Sequence, residues 1–370
     1  MRFPEFEGEW MESTIGKQFE LYSGNTPSRL NKDYFKGEIN WISSGELKDH
    51  YVYSSKEKIS QEASLNLKML PVGTFVIAIY GLEAEGVRGT GSIIKEKSTI
   101  SQACMAFSSI GEVENEFLYS WYKKHGNIIG LKYAQGTKQQ NLSYDILERF
   151  KIAYPCKQEQ EKLNKFISLL DERIATQNKI IEDLKKLKSA ISERLFKSVK
   201  GSTVLLSDLC DIVKGKQING ENLSDSGNYY VMNGGTEPSG YYDNYNVEAS
   251  TISISEGGNS CGYVQFNTSP FWSGGHCYSI QNIADKVDNM YLYHYLKSNE
   301  DAIMKLRIGS GLPNIQKKDL AMFKIIVPKI EWQIKISTFL SSLERKAEIE
   351  RRIQNAIQKQ RLYLLQQMFI

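Results

Sequence analysis

The stretch Phe117-Leu-Tyr-Ser-Trp-Tyr-Lys123 returns later in the chain as Tyr291-Leu-Tyr-His-Tyr-Leu-Lys297. Further pairs follow in the same order: Gly136-Thr-Lys-Gln-Gln-Asn-Leu142 with Gly309-Ser-Gly-Leu-Pro-Asn-Ile315, Phe150-Lys-Ile152 with Phe323-Lys-Ile325, Pro155 with Pro328, Gln160 with Gln333, Phe166 with Phe339, Leu170 with Leu343, and Leu195-Phe196 with Met368-Phe369. The partners keep a spacing of about 173 residues, and a fixed period is the signature of an internal repeat. The chain is therefore predicted to contain two similar halves.

Upstream of these pairs the two halves agree only loosely. Leu21-Tyr-Ser-Gly24 and Ile212-Val-Lys-Gly215 each close an apolar run, and Gly73-Thr-Phe-Val-Ile-Ala-Ile79 resembles Ser250-Thr-Ile-Ser-Ile254. The similar part is the end of each globular region with the helix that follows, and the divergent part is its front. This division is typical of two modules that do the same job on different targets, although a duplication that only drifted has the same appearance.

Each half is predicted to end in a long helix with the seam of a coiled coil. Apolar residues step along the first helix by fours and threes, with polar interruptions: Leu163, Ile167, Leu170, Ile174, Ile181, Leu184, Ile191 and Leu195. The second helix keeps the same seam: Ile336, Leu340, Leu343, Ala347, Ile357, Leu364 and Met368. A mean spacing of about 3.5 residues over several heptads favours a coiled coil over a surface helix. A helix of about 40 residues is roughly 60 Å long.

The globular regions are predicted to be α+β. Short strands are expected at 74–79, 251–254 and 323–327, where β-branched and aromatic residues are bounded by glycine or proline. Residues 118–124 and 291–297 are predicted to be short helices. The predicted order is a globular region at 1–155, a helix at 156–200, a second globular region at 201–328 and a second helix at 329–370.

The composition is that of a globular protein without a membrane span. Of 370 residues, 41% are hydrophobic and 24% are charged, and no run approaches the roughly 18 apolar residues that a membrane helix needs. The opening residues do not resemble a secretory signal, so the cytoplasm is the expected location. The five cysteines have no paired spacing, which predicts neither a disulfide framework nor a zinc site. The net charge of +3 neither demands nor excludes nucleic acid.

The sequence contains no recognisable catalytic motif. The phosphate-binding loop, the nucleophile elbow, the zinc-binding helix and the kinase signature are all missing, and no strand–GxGxxG–helix unit is found. The Asn- or Asp-Pro-Pro-aromatic segment that would hold a flipped adenine is missing as well. The four histidines (His50, His125, His276 and His294) have no paired spacing. We therefore expect a chain that is not an enzyme.

The order globular region, helix, globular region, helix resembles the specificity (S) subunits of type I restriction–modification systems. The similarity rests on these segments: Arg2-Phe-Pro-Glu-Phe-Glu-Gly-Glu-Trp10, Ser23-Gly-Asn-Thr-Pro-Ser28, Trp41-Ile-Ser-Ser-Gly-Glu-Leu47, Gly136-Thr-Lys-Gln-Gln-Asn-Leu-Ser143 with Asp145, Ile254-Ser-Glu-Gly-Gly-Asn259, and Pro313-Asn-Ile315 with Asp319. No single motif is decisive, but their joint order extends over nearly the whole chain.

The resemblance implies a reader of double-stranded DNA that performs no chemistry itself. Each globular region would be a target-recognition domain for one half of a split, asymmetric DNA sequence, and the two helices would pair as an antiparallel coiled coil that holds the domains apart. In the family, two adenine methyltransferase subunits dock on this scaffold, and a translocating nuclease subunit can join them. No cofactor is expected in this chain, because S-adenosylmethionine and ATP belong to the partner subunits.

Candidate DNA contacts follow from the side chains that bind phosphates and base edges. In the first domain they are Ser43, Ser44, Arg88, Lys132, Lys138 and Gln139; in the second they are Lys214, Lys216, Asn233, Asn259 and Arg307. The alternative for each lysine is a solvated surface charge. For the whole chain, two alternatives stay open: a coiled-coil scaffold that binds protein without DNA specificity, and a methyltransferase with a divergent active site.

Overall fold

The computed structural model describes residues 1–136, 140–309, 311 and 313–369, and it divides into two compact units. The first unit comprises Met1–Asn178 and Arg352–Ile370, and the second comprises Lys179–Arg351. Each unit therefore contains one globular region together with segments of both long helices. The predicted residues Lys138 and Gln139 lie outside the described residues.

The first unit holds ten strands among its described residues: β1 Met11–Thr14, β2 Phe19–Ser23, β3 Ile39–Ile42, β4 Tyr51–Val52, β5 Lys58–Ile59, β6 Phe75–Ala78, β7 Gly91–Ile94, β8 Ser98–Ile100, β9 Cys104–Ser109 and β10 Lys151–Tyr154. Its helices are α1 Ile15–Gln18, α2 Gln61–Ser64, α3 Asn115–Tyr133, α4 Tyr144–Glu148 and the first part of α5 Lys157–Ser198. The strands form sheets in the orders β2-β9-β6-β7-β4, β5-β3-β8 and β1-β10.

The second unit repeats this plan in a smaller form. Its strands are β11 Ser202–Leu205, β12 Asp211–Lys214, β13 Tyr229–Met232, β14 Tyr241–Tyr242, β15 Thr251–Ser255, β16 Val264–Asn267, β17 Trp272–Ser273, β18 Cys277–Gln281 and β19 Lys324–Val327. Its helices are α6 Asn289–Ser298, α7 Glu300–Met304, α8 Lys317–Ala321 and the first part of α9 Ile330–Met368. The sheet orders β12-β18-β15-β16, β14-β13-β17 and β11-β19 match the sheets of the first unit strand for strand, except that β4 has no counterpart among the described residues of the second unit.

Both long helices take part in each unit, and within each unit they run antiparallel. In the first unit, Asp171 on α5 pairs with Arg361 on α9, and Asn178 accepts a hydrogen bond from Gln354. The α9 number falls as the α5 number rises, which defines the antiparallel direction. In the second unit, Lys188 pairs with Glu344, and Phe196 shares a buried core with Ile336. The predicted α+β class and the antiparallel helix pairing are thus confirmed.

Buried glutamines fix the start of each long helix in the same way. Gln160 is fully buried; its amide donates to the carbonyl oxygens of Pro155 at 2.9 Å and Glu112 at 3.1 Å, and it accepts from the backbone N–H of Glu114 at 3.0 Å. Gln333 repeats all three bonds, with the carbonyls of Pro328 and Lys286 and the N–H of Asp288. The repeat seen in the sequence is therefore a repeat of hydrogen bonds.

Replacing Gln160 by methionine should destabilise the first unit by about 2–3 kcal/mol. The side chain keeps its approximate volume, but it leaves two carbonyls and one N–H buried without their partner, and such groups are costly in a protein interior. Hydrogen exchange resolved along the chain would measure the loss in residues 112–133. Gln158→Met is the matched control, since Gln158 is exposed on the same turn. Equal effects of the two substitutions would contradict the role of the buried amide.

Candidate functional site

Three strands of the second unit bring four of the five predicted side chains of this domain to one edge. Lys214 ends β12, Asn233 follows β13, and Asn259 lies in the turn after β15. Lys216 is placed near Asn233, because its backbone N–H donates at 2.9 Å to the carbonyl of Ser273, which ends β17, and the next residue, Gly274, lies against Asn233. The edge is therefore built from loops that follow strands of two sheets, and functional loops are usually held by a rigid scaffold in this way.

Arg307 lies next to the same edge. Burial raises the pKa of the Cys261 thiol, and the nearby charge of the exposed Arg307 guanidinium opposes this shift in part. Cys261 in turn donates to the Glu256 carbonyl at 3.0 Å. The structure therefore places Asn259 in the turn that follows β15, Lys214 and Arg307 beside that turn, and Asn233 and Lys216 in the loops next to it.

The glycines of this edge allow close approach of its loops. Gly258 has a φ of +76°, which favours glycine over any residue with a side chain. A Cβ atom on Gly274 would lie 2.6 Å from Asn233 Oδ1, so a larger residue there would displace that amide. The Asn233 oxygen also accepts from the His276 backbone N–H at 3.1 Å. Asn233 thus holds the turn that presents His276.

The charged residue at the centre of this edge, Glu256, is not among the DNA contacts predicted from the sequence. Glu256 is buried, and its Oε1 accepts from Lys214 Nζ at 2.6 Å and from the Tyr278 hydroxyl at 3.2 Å. Burial, with the Glu256 charge as a smaller contribution, raises the pKa of Tyr278 well above its ordinary value. His276 lies at the same place, with Nδ1 3.8 Å from Glu256 Oε2.

The predicted residues of the first domain are not gathered in this way. Ser43 and Ser44 follow β3, where Ser43 donates to Glu46 Oε2 at 2.7 Å and its side chain caps a short turn. Arg88 lies against α3 instead, and its guanidinium donates to Asn127 Oδ1 at 3.2 Å and to the carbonyl of Leu82 at 3.1 Å. The side chains of Ser43 and Arg88 therefore stabilise loops of their own domain through these hydrogen bonds.

Lys132, also predicted in the first domain, is exposed near the end of α3 and lines an apolar groove with Trp121, Ile128 and Phe150. The DNA contacts proposed for this domain stay predictions.

A cluster of aromatic and charged side chains around His50 joins the globular region of the first unit to its helices. His50 is buried, with its ring stacked 4.0 Å from those of Tyr51 and Tyr119. Its Nε2 lies 2.7 Å from Glu116 Oε2, and its Nδ1 lies 2.9 Å from Asp171 Oδ2 without the alignment of a good hydrogen bond. Burial lowers the pKa of His50, but the two carboxylates together raise it further, so it stays above its ordinary value.

The second unit makes equivalent contacts between its globular region and its helices, but no counterpart of His50 is found among its described residues. Tyr293 donates to Glu344 at 3.2 Å, as Tyr119 does to Asp171 at 3.4 Å, and Lys188 takes the place of Arg361. Both ion pairs tie α5 to α9 in their own unit.

The seam residues predicted for the long helices pack inside their units. Buried members are Leu163, Ile167, Ile181, Ile336, Leu340, Ile357 and Leu364, and half-buried members are Leu170, Ile174, Leu184, Ile191, Leu195 and Leu343. Since these side chains face the rest of the chain, a partner subunit would first meet the outer helix faces, where Leu169, Leu187 and Tyr363 are exposed. The role of the seam in holding a partner stays a prediction.

The described part of the chain holds no group of three or more His, Cys, Asp or Glu side chains placed to bind a metal ion. In the same residues, none of the helices combines the length and apolar character required to cross a bilayer.

Comparisons with curated proteins find specificity subunits. A putative type I specificity subunit of Mycoplasma pneumoniae is 32% identical over 145 residues, covering 39% of this chain and 38% of the relative. A second, from Mycoplasma genitalium, is 34% identical over 122 residues, covering 32% and 31%. The match thus spans about a third of the length of these two relatives. The MjaVIII specificity subunit of Methanocaldococcus jannaschii, at 23% identity, is matched over 97% of this chain and 91% of its own length.

Solved structures show the same fold. The type I restriction–modification S subunit of M. genitalium matches with a TM-score of 0.69 and 18% identity, covering 100% of this chain and 99% of that one. A chain from a study of complex assembly and conformational transition in the type I system matches with a TM-score of 0.58 and 16% identity, covering 98% of each chain. The family model of the type I restriction modification DNA specificity domain matches residues 7–186 and again residues 200–359. This chain therefore belongs to the type I restriction–modification specificity family and carries its specificity domain twice.

Proposed function

We propose that this chain is the non-catalytic DNA-reading subunit of a type I restriction–modification complex. Each globular region recognises one half of a bipartite, asymmetric DNA target, and the paired helices carry two adenine methyltransferase subunits, to which nuclease subunits can be added. S-adenosylmethionine and ATP are then bound by those partners. The reaction is methyl transfer to an adenine that the complex selects through this chain.

The observation that carries the proposal is a repeated scaffold with different surface loops. The glutamines that start the long helices make the same three hydrogen bonds in both units, whereas the loops at the sheet edges differ in length and in side chains. A duplicated scaffold suits the pseudo-two-fold symmetry of duplex DNA. Different loops would read different bases, because each base pair presents its own donors and acceptors in the major groove. The two half-sites should therefore differ.

The experiment is to produce the chain with the adenine methyltransferase subunit encoded beside it, in a bacterium that lacks other adenine methylation. Mapping methylated adenines across the genome should then find a single bipartite, asymmetric motif. The chain alone and the methyltransferase alone should leave the genome unmethylated at that motif. Methyl transfer by the chain alone would overturn the proposal, because it would place a catalytic centre in this chain.

Exchanging one recognition region tests the division of labour between the halves. Replacing residues 1–155 by the corresponding region of another specificity subunit should change one half of the methylated motif completely and leave the other half unchanged. If both halves change together, the regions do not read independently. If a complex with the methyltransferase forms but binds no DNA at any salt concentration, the chain is a protein-binding scaffold, since a DNA reader binds duplexes in a salt-dependent way.

A further inference from the structure

The sheet edge of each unit is held by the same three backbone hydrogen bonds. The N–H of Gly24 donates to Cys104 at 3.1 Å, that of Ile79 to Ala103 at 2.9 Å, and that of Leu142 to Ile79 at 3.0 Å. In the second unit the matching bonds are Gly215 to Cys277 at 2.9 Å, Glu256 to His276 at 2.9 Å and Ile315 to Glu256 at 2.8 Å. The two edges can therefore be compared position by position within their own units.

The side chains on this common frame are quite different. The first unit carries Ser23, Ile79 and Ala103, and the second unit carries Lys214, Glu256 and His276 at the same three positions. Ile79 is 3% exposed and belongs to the core of its unit, whereas Glu256 is 7% exposed and charged. Burying a carboxylate where an apolar residue fits costs free energy. Glu256 is therefore expected to have a role beyond packing.

The geometry around Glu256 connects it to an exposed donor. Lys214 Nζ lies 2.6 Å from Glu256 Oε1, while the lysine side chain is 54% exposed. The second oxygen, Oε2, is buried and has no hydrogen-bond partner among the described residues, and His276 Nδ1 lies 3.8 Å away. The His276 side chain is 63% exposed. One buried carboxylate thus lies beneath two polar side chains that reach the surface.

Resting on the DNA-reading function proposed above, we infer that Lys214 reads a guanine in one half-site and that Glu256 is its positioning residue. An ammonium group only donates, and guanine is the base that presents two neighbouring acceptors, O6 and N7, in the major groove. One Lys214 proton is directed to Glu256 and the others are available to the base. His276, whose backbone N–H is held by Asn233, lies beside Glu256 and is adjacent to the proposed base contact.

The charge of Glu256 distinguishes this role from simple attraction to phosphates. A carboxylate beside a lysine cancels its charge, so the pair adds little to the sequence-independent affinity that depends on released counterions. Fixing the direction of a flexible lysine adds discrimination between bases instead. The first unit, with serine, isoleucine and alanine on the same frame, should therefore show no such guanine preference at the matching position of its half-site.

The test is selection of bound duplexes from a library of randomised double-stranded DNA, using the full-length chain and sequencing the bound fraction. The wild-type chain should enrich a bipartite motif with a guanine at one position of one half-site. Lys214→Ser should lower the preference for that guanine at least about 5-fold, the lower limit expected for a specific base contact. Glu256→Gln should lower the same preference while total DNA binding is kept or increased.

The triple variant K214S/E256I/H276A places the side chains of the first unit on the frame of the second. Because that frame already accepts them in the first unit, the variant should fold, and its melting temperature checks this. It should lose the guanine preference in one half-site and leave the other half-site unchanged. Lys346→Ser, which removes an exposed lysine on α9, is the control for charge and should keep the full motif.

Each outcome decides the inference. An unchanged guanine preference in K214S or in the triple variant would overturn it. Loss of both half-sites, or unfolding of E256Q alone, would mean that Glu256 is structural and would equally overturn it. If the wild-type chain itself enriches no bipartite motif, the proposed DNA-reading function fails first, and that result is separate from any difference among the variants.

Discussion

Replacing Arg361 by methionine is expected to lower the stability of the first unit by about 2–4 kcal/mol, because it strands a buried carboxylate. Arg361 and Asp171 are 17% and 13% exposed, and Arg361 Nη2 lies 3.1 Å from Asp171 Oδ2 while its Nε makes a second contact with the other oxygen. Tyr119 contacts both groups at 3.4 Å. Without the guanidinium, Asp171 keeps His50 and Tyr119 as its close polar neighbours.

A neighbouring lysine, Lys123, limits the loss of stability that we expect for Arg361→Met. Lys123 packs near the cluster, and burial, assisted by the charge of Arg361, lowers its pKa to about 8. Removing Arg361 takes away this repulsion, so the Lys123 ammonium becomes easier to keep charged and can partly replace the lost charge beside Asp171. For this reason we expect the cost to stay below the about 5 kcal/mol that a fully uncompensated buried charge can reach.

The equivalent substitution in the second unit provides the comparison. Lys188 and Glu344 are 22% and 32% exposed, so Lys188→Met should cost only about 1 kcal/mol because water screens the pair. Hydrogen exchange with mass spectrometry would follow residues 116–123 for the first variant and 290–297 for the second. Equal losses in the two units would show that burial does not set the strength of these ion pairs.

The parts of the fold that depend on local periodicity could be predicted from sequence. A helix with apolar side chains every three or four residues can bury only one face, so the seam from Leu163 to Leu195 could be identified without a structure, and all of its members are buried or half-buried. Strands β4, β5, β14 and β17 could not, because each has only two residues and exists through pairing with a distant strand. Trp272, for example, pairs with Val231 across a parallel ladder.

The candidate site was predictable only in part for a related reason. The side chains of Lys214 and Asn233 predict DNA contacts by their chemistry alone, but Glu256 and His276 gain importance from neighbours that are distant in the chain. One signal was present in the repeat: Ser23-Gly24 corresponds to Lys214-Gly215, and Ala103-Cys104 to His276-Cys277. Positions that differ beside a shared glycine or cysteine would have drawn attention to this edge. The sequence around His50 contains no motif that predicts its two carboxylate neighbours, Glu116 and Asp171, because both are distant in the chain.

The two units should respond to pH in opposite directions through one histidine each. In the first unit, the Glu116 and Asp171 carboxylates outweigh burial and hold the pKa of His50 above its ordinary value. Protonation therefore favours the folded unit: this contribution is complete below about pH 6.5 and is lost as the pH rises through the folded-state pKa. In the second unit, burial lowers the pKa of His294 to about 4. Its contribution is complete above about pH 6.5 and is lost as the pH falls towards 4.

The size of the His294 effect follows from linkage. At about pH 5 the unfolded chain binds this proton and the folded unit mostly does not, which costs the second unit about 2 kcal/mol relative to about pH 8. Neutral His294 keeps its Nε2 contact with Ser341 Oγ at 2.9 Å, while Lys188 disfavours a positive charge on the ring and Glu344 favours it. Asp288 also favours the charge, but burial is the largest of these effects and sets the direction of the shift.

Glutamine variants separate these histidines from the other groups that titrate. His125, in the first unit, has a pKa that burial lowers, so the wild-type response of this unit is a sum of opposing contributions. The difference between wild type and His50→Gln isolates His50, and the destabilisation by this variant should shrink as the pH rises from about 6 to about 9. His294→Gln should become less destabilising, relative to wild type, as the pH falls from about 8 to about 5. Hydrogen exchange at residues 49–53 and 290–297 measures the stability of the two units separately. If the stability difference between wild type and variant changed with pH in the same direction in both units, the charges assigned to His50 and His294 would be wrong.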